Sequence, residues 1–137
     1  MTNATPVVDE LDLSGDSAVE QVTAVWTIQE ASHEETESDN GVGNRATIVF
    51  ESDDWAYPIT MRFFTSYTSK QGKDTEWVKR QRGQLKNILK TATGQTNLGS
   101  ALDPNSQDYI VGKQVNATTR DGGDGFAVLS RFKKVAA

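Results

Sequence analysis

Cysteine is absent from the chain, and His33 is its single histidine. Without thiols there is no disulfide framework and no thiolate metal site. One histidine, set among acids in "SHEETESDN", leaves no basis for a Ser/His pair or a His-rich metal centre. Long apolar runs are missing too, and none approaches the ~20 residues of a membrane span. The start, "MTNATPVVDELDLSGD", has neither a basic n-region nor an apolar h-region, so no secretory signal is expected. The chain therefore reads as soluble and cytoplasmic. The carboxylates are abundant, but they sit in stretches expected to be solvated, a poor setting for acid–base catalysis. "ESDNG" and "DGGDG" share residue types with calcium loops but lack the full ligand spacing, and read instead as polar hairpin turns. An enzyme is not expected, and no cofactor or metal is called for.

What is present is an uneven charge distribution. The 137 residues carry a formal net charge of -5. Residues 1–57 hold thirteen Asp and Glu against Arg45 alone, whereas residues 58–137 hold thirteen Lys and Arg against six acids. Such a split points to a polyanion partner or an acidic arm, unless the two halves neutralise each other across the fold. Residues 1–18, with Pro6 and Gly15, form the candidate acidic arm, and 19–137 the domain.

Hydrophobic periodicity supplies the elements. Between Glu20 and Ala31, Val22, Ala24, Trp26 and Ile28 share one face of a half-buried strand, with Val25 out of phase. "SHEETESDNGVGN" reads as a long acidic loop. "RATIVFE" then places Ala46, Ile48 and Phe50 on one face, and "PITMRFFTSY" alternates Ile59, Met61 and Phe63 with Thr60, Arg62 and Phe64. Pro58 is tolerable because it opens its strand. Asp74 or Thr75 caps a helix in which Trp77, Gln81, Leu85, Ile88 and Ala92 recur at helical spacing, widened by Val78 and Leu89. Lys79, Arg82, Lys86 and Lys90 fall on another face, Gly94 suits the helix end, and Gly83 weakens the interior. Residues 95–112 form a connector with a helical turn expected at "DPNSQDYIVG". "KQVNATTR" and "GFAVLSRFKKV" then make a hairpin around "DGGDG", with Arg131 and Lys133 opposite Val128, Ser130 and Phe132.

Three strands, one helix and two strands predict a mainly β fold, a five-stranded OB-fold-like barrel with its main helix between strands 3 and 4. An α+β open sheet fits the same order. The layout over roughly 19–135 resembles the small OB-fold single-stranded-DNA-binding proteins of bacteriophages. The resemblance rests on "PITMRFFTSY", "EWVKRQRGQLKNILKTATG", "DYIVGKQVNATTR" and "LSRFKKV". Ile110, Val111, Gly112 and Lys113 match that family's step of an apolar residue, a glycine and an alternating strand. Ser130 to Lys134 match its closing motif loosely. Many such proteins end in an acidic tail, whereas the sequence here ends "RFKKVAA". Their first binding loop is here acidic, through Glu34, Glu35, Glu37 and Asp39, and would repel DNA.

The resemblance implies sequence-independent binding of single-stranded DNA in replication or recombination, a task that needs cations along a backbone track and aromatic faces for bases. The candidate contacts are Trp55, Tyr57, Arg62, Phe64, Tyr67, Lys70, Lys73, Lys79, Arg82, Lys86, Arg131 and Lys133. Phe63 and Trp77 are in phase with apolar stripes and are expected in the core. The acidic arm is the candidate contact for replication or recombination proteins, and self-association is open to the fold. The alternatives are an OB-like adaptor gripping a protein partner through its acidic arm and loop, and a carbohydrate-binding OB-fold, which has no need of a basic half.

Overall fold

The computed structural model describes residues 19–69, 76–94, 98–123 and 125–135. The arm 1–18, Lys70, Lys73 and the capping positions Asp74 and Thr75 lie outside the described residues. The elements are β1 (Thr23–Ser38), β2 (Gly41–Glu51), β3 (Ile59–Ser69), α1 (Glu76–Thr93), α2 (Leu98–Ala101), β4 (Gln114–Asp121) and β5 (Ala127–Lys133). All strand pairs are antiparallel, in the order β3-β2-β1-β4-β5. The sheet curls until its outer strands β3 and β5 approach each other, and α1 packs on β3, β4 and β5 at that seam. The protein is thus mainly β, a curled OB-like half-barrel with one main helix between strands 3 and 4.

Alternation builds the interior. Trp26, Ile28, Ile48 and Phe50 are fully buried, and Ile59 and Phe63 nearly so. Each such side chain contributes about 1.5–3 kcal/mol by leaving water. The β1–β2 register slips between Ile28 and Glu30. This bulge lets Ile28 and Ala31 both face inward and bends the strand around the core.

The acidic loop expected at residues 32–44 is instead a paired hairpin. β1 continues to Ser38, turns through Asp39 and Asn40, and returns as β2 from Gly41, while β3 pairs along β2 as far as Gly41 with Ser69. Apolar alternation reports burial, and this tip is mostly exposed, so pairing here leaves no apolar signature. The glycines have a reason: Tyr67 lies across them. A Cβ on Gly43 would stand 2.5 Å from the Ser66 carbonyl oxygen and 3.1 Å from the Tyr67 ring, and one on Gly41 would meet the Tyr67 ring and the Thr68 carbonyl.

Helix α1 buries Val78, Leu85, Ile88 and Leu89. Gln81, on the predicted stripe, is half-buried, and its side-chain oxygen accepts the Phe64 amide N–H at 2.8 Å. That bond satisfies an outward-pointing donor of the outer strand, which would otherwise invite pairing with another chain. Gly83 is exposed and a Cβ there meets nothing within 4 Å. Gly83→Ala is therefore expected to stabilise the protein by roughly 0.5–1 kcal/mol, read from urea unfolding; no gain would mean the helix interior is strained at this position.

Two details of the second half differ from expectation. The short helix lies at Leu98–Ala101, ahead of "DPNSQDYIVG", whose residues form turns held by bonds such as Ser106 N–H to the Asp103 carbonyl at 3.0 Å. In β5, Ala127 and Leu129 face inward rather than Val128. The β4–β5 register then shifts between Asn116 and Thr118, where Arg131 adopts φ 56°. This bulge restores an inward aim to Phe132, whose ring packs 5.9 Å from that of Phe50. A left-handed non-glycine residue costs about 1–2 kcal/mol.

Candidate nucleic-acid interface

β3 and β5 run in the same direction on either side of the seam, and two cavities open along it. The first, of about 690 Å³, lies between Tyr57–Thr60 and Arg62 on one side and Gly122, Gly125, Phe126, Ala127 and Val128 on the other. Tyr57 is 53% exposed and Phe126 73%, and Arg62 is exposed beside them. Their positions follow from the strands. Tyr57 precedes Pro58 at the mouth of β3, and Phe126 stands where the β4–β5 turn enters β5. That turn is shaped by Asp121, whose carboxylate accepts the Gly123 N–H at 2.8 Å and the Gly125 N–H at 3.1 Å. The second cavity, about 230 Å³, sits deeper along the seam between Met61, Phe63, Gln84, Asn87, Ile88, Arg120 and Leu129–Phe132.

The aromatic candidates separate into two groups. Trp55 is half-buried and forms a bridge, its ring 6.3 Å from Trp26 and 5.7 Å from Tyr57. A continuous path of rings thus supports Tyr57 from the core. Phe64 and Tyr67 lie at the other end of β3, half-buried in a cluster with Trp77. Phe64 stands 5.2 Å from Trp77 and 5.7 Å from Tyr67, and Tyr67 stands 5.5 Å from Trp77. Edge-on and tilted contacts of this kind add about 0.5–1.5 kcal/mol per pair. They fasten the start of α1 to β3, so these two rings have a structural task whatever else they touch.

The cations also differ in freedom. Lys79 pairs with Glu76 at 3.4 Å. Arg82 donates to the Thr65 carbonyl at 3.2 Å, and the Thr65 hydroxyl meets His33 Nε2 at 2.8 Å. Lys86 and Lys133 are exposed, and among the described residues neither forms an ion pair. Arg131 lines the second cavity beside Arg120, which sequence periodicity did not single out.

Tyr57, Arg62 and Phe126 therefore converge, Arg131 stands farther along the same seam, and the helix cations cover a separate face. Phasing β5 on Val128 places Phe126 in the inward set, which hides it as a candidate. Phasing on Leu129 instead leaves Phe126 outside the alternating set, directly after a glycine turn, where a large ring has no core to enter. Among the described residues no group of three His, Asp or Glu side chains is placed to hold a metal ion, and no helix is long and apolar enough to cross a membrane. Comparison of the chain with protein-family models, curated proteins and solved structures finds no match, so function must be argued from this geometry.

Proposed function

We propose that the protein binds single-stranded DNA without sequence preference. The observation that carries this reading is the cleft in which exposed Tyr57 and Phe126 flank Arg62. Two rings offer faces to unstacked bases, whose π-surfaces are common to all four nucleotides, and the guanidinium offers charge to the connecting phosphate. The cleft volume falls within the range of pre-formed ligand sites. A role in bacteriophage replication or recombination rests on the resemblance of the strand and helix segments to proteins of that kind. Titration of the protein with oligo-dT, duplex DNA and RNA at two salt concentrations tests the proposal. Oligo-dT is expected to bind best, with affinity falling as salt rises because bound phosphates release counterions. Equal affinity for duplex and single strand would overturn it.

One observation favours a second reading, an adaptor for a basic protein partner. Glu34, Glu35, Glu37 and Asp39 are exposed on a paired hairpin, which holds carboxylates more firmly than a loop would. The two readings separate on neutralisation of those four residues to Gln or Asn. For a DNA binder, oligo-dT affinity is expected to rise at low salt, and the gain to shrink once the Debye length falls to about 8 Å at physiological ionic strength. An adaptor would show negligible DNA binding in both forms and would lose its partner on neutralisation.

A further inference from the structure

The bulge at Arg131 has a structural purpose, but its arginine does not share it. Phe132 can turn inward to Phe50 only if the residue before it takes a conformation that changes the phase of β5. Glycine adopts φ near +56° without a Cβ penalty, and Asn or Asp tolerates it better than a long side chain does. The Arg131 side chain instead makes no hydrogen bond or ion pair within the described residues, and it lines the second cavity together with Arg120. Among the described residues the Arg120 side chain donates only to the carbonyl of its neighbour Asp121, at 3.2 Å. Two guanidinium groups thus border one cavity that, among the described residues, no carboxylate lines. Packing of Phe132 on Phe50 accounts for the backbone conformation at position 131, but it does not require an arginine there, and two like charges facing one cavity repel each other. Cations gathered on one cleft focus the field there and favour an anionic ligand.

The rest of the lining describes the ligand. Met61, Phe63, Leu129 and Phe132 make an apolar, partly aromatic floor, and Gln84 and Asn87 of α1 present side-chain amides that bond to no other described residue. An anion alone would need no such floor, and an apolar ligand alone no such cations. A planar base with donor and acceptor edges, joined to a phosphate, satisfies all three. We infer that the cavity between α1, β3 and β5 is a nucleotide subsite, in which Arg120 and Arg131 hold the phosphate and the Gln84 and Asn87 amides meet the edge of a base lying on the Met61–Phe132 floor. The inference takes its ligand class from the single-strand reading. A unit of a bound strand reaching past the Tyr57–Phe126 cleft and a free mononucleotide share this chemistry.

Methyl NMR of the full chain with dTMP, thymidine and inorganic phosphate as probes tests the assignment. Saturable shifts of the Met61, Ile88 and Leu129 methyls by dTMP, with thymidine and phosphate each binding much more weakly, are expected. Arg131→Gly should weaken dTMP binding by about tenfold or more, the usual scale for a lost charge-assisted contact, while raising the melting temperature. Arg120→Gln, which leaves the bulge untouched, should weaken dTMP similarly. Absence of methyl shifts at millimolar dTMP, equal binding of phosphate or thymidine, or wild-type dTMP affinity in both variants would overturn the subsite. Oligo-dT binding separates the two claims. If oligo-dT binds through Tyr57 but dTMP shifts nothing, the subsite fails and the single-strand reading stands. If dTMP binds and oligo-dT does not, the subsite holds a free nucleotide and the single-strand reading fails.

Discussion

Replacing Tyr57 and Phe126 together by Ala is expected to weaken oligo-dT binding by roughly 2–6 kcal/mol, because each base stacked on an aromatic ring contributes about 1–3 kcal/mol. Both rings are more than half exposed, so their removal leaves the core intact and unfolding should change little. The loss should persist at high salt, since stacking is not screened, whereas an Arg62→Gln change should flatten the salt dependence. Phe64→Ala and Tyr67→Ala make useful contrasts. Those rings hold Trp77 and cover Gly41 and Gly43, so their loss acts on stability first. Equilibrium titration with fluorescent oligo-dT checks the expectation. Unchanged affinity in a folded Tyr57/Phe126 double variant would remove the cleft from the binding site.

The second large effect belongs to Trp26. Its side chain is wholly buried, its indole N–H donates to the Ala117 carbonyl at 3.2 Å across the β1–β4 pair, and its ring supports Trp55. Trp26→Ala is expected to cost about 3–5 kcal/mol, combining lost transfer energy with a cavity that neighbouring strands cannot close. Urea unfolding measures it, and a loss below about 1 kcal/mol would contradict the packing described. Functional damage follows by a separate route. Without Trp26 the Trp55 ring loses its support, and Tyr57, which leans on Trp55 at 5.7 Å, loses its orientation. Oligo-dT affinity should therefore fall even under conditions where the Trp26→Ala chain is still folded.

Much of this architecture is legible in the residue pattern, and the failures have two distinct physical causes. Ala24, Trp26 and Ile28 read correctly as inward-facing, as did Ile59 and Phe63, because each stretch lies half in the core and alternates accordingly. The helix stripe through Leu85, Ile88 and Leu89 read correctly for the same reason. The β1–β2 tip did not, because strands paired between two mostly solvated faces carry no apolar period. β5 was misphased because one bulge residue, Arg131, reverses the alternation in the middle of a seven-residue strand.

The sequence by itself determined that the protein has no thiol chemistry, that it carries its positive charge in its second half, and that five alternating segments surround one amphipathic helix. Composition and periodicity are local properties, and each of these conclusions needs nothing beyond neighbours in the chain. The tertiary structure alone decided which aromatics are available. Trp55 and Tyr57 are two residues apart, yet one is a half-buried bridge and the other an exposed face. Tyr57 and Phe126 border one cleft only because the curled sheet brings the mouth of β3 to the β4–β5 turn. It also decided that Arg120 and Arg131 share one cavity. Such convergence depends on strand order, on curl and on a single register shift, quantities set by the cooperative packing of the whole sheet and carried by no one segment.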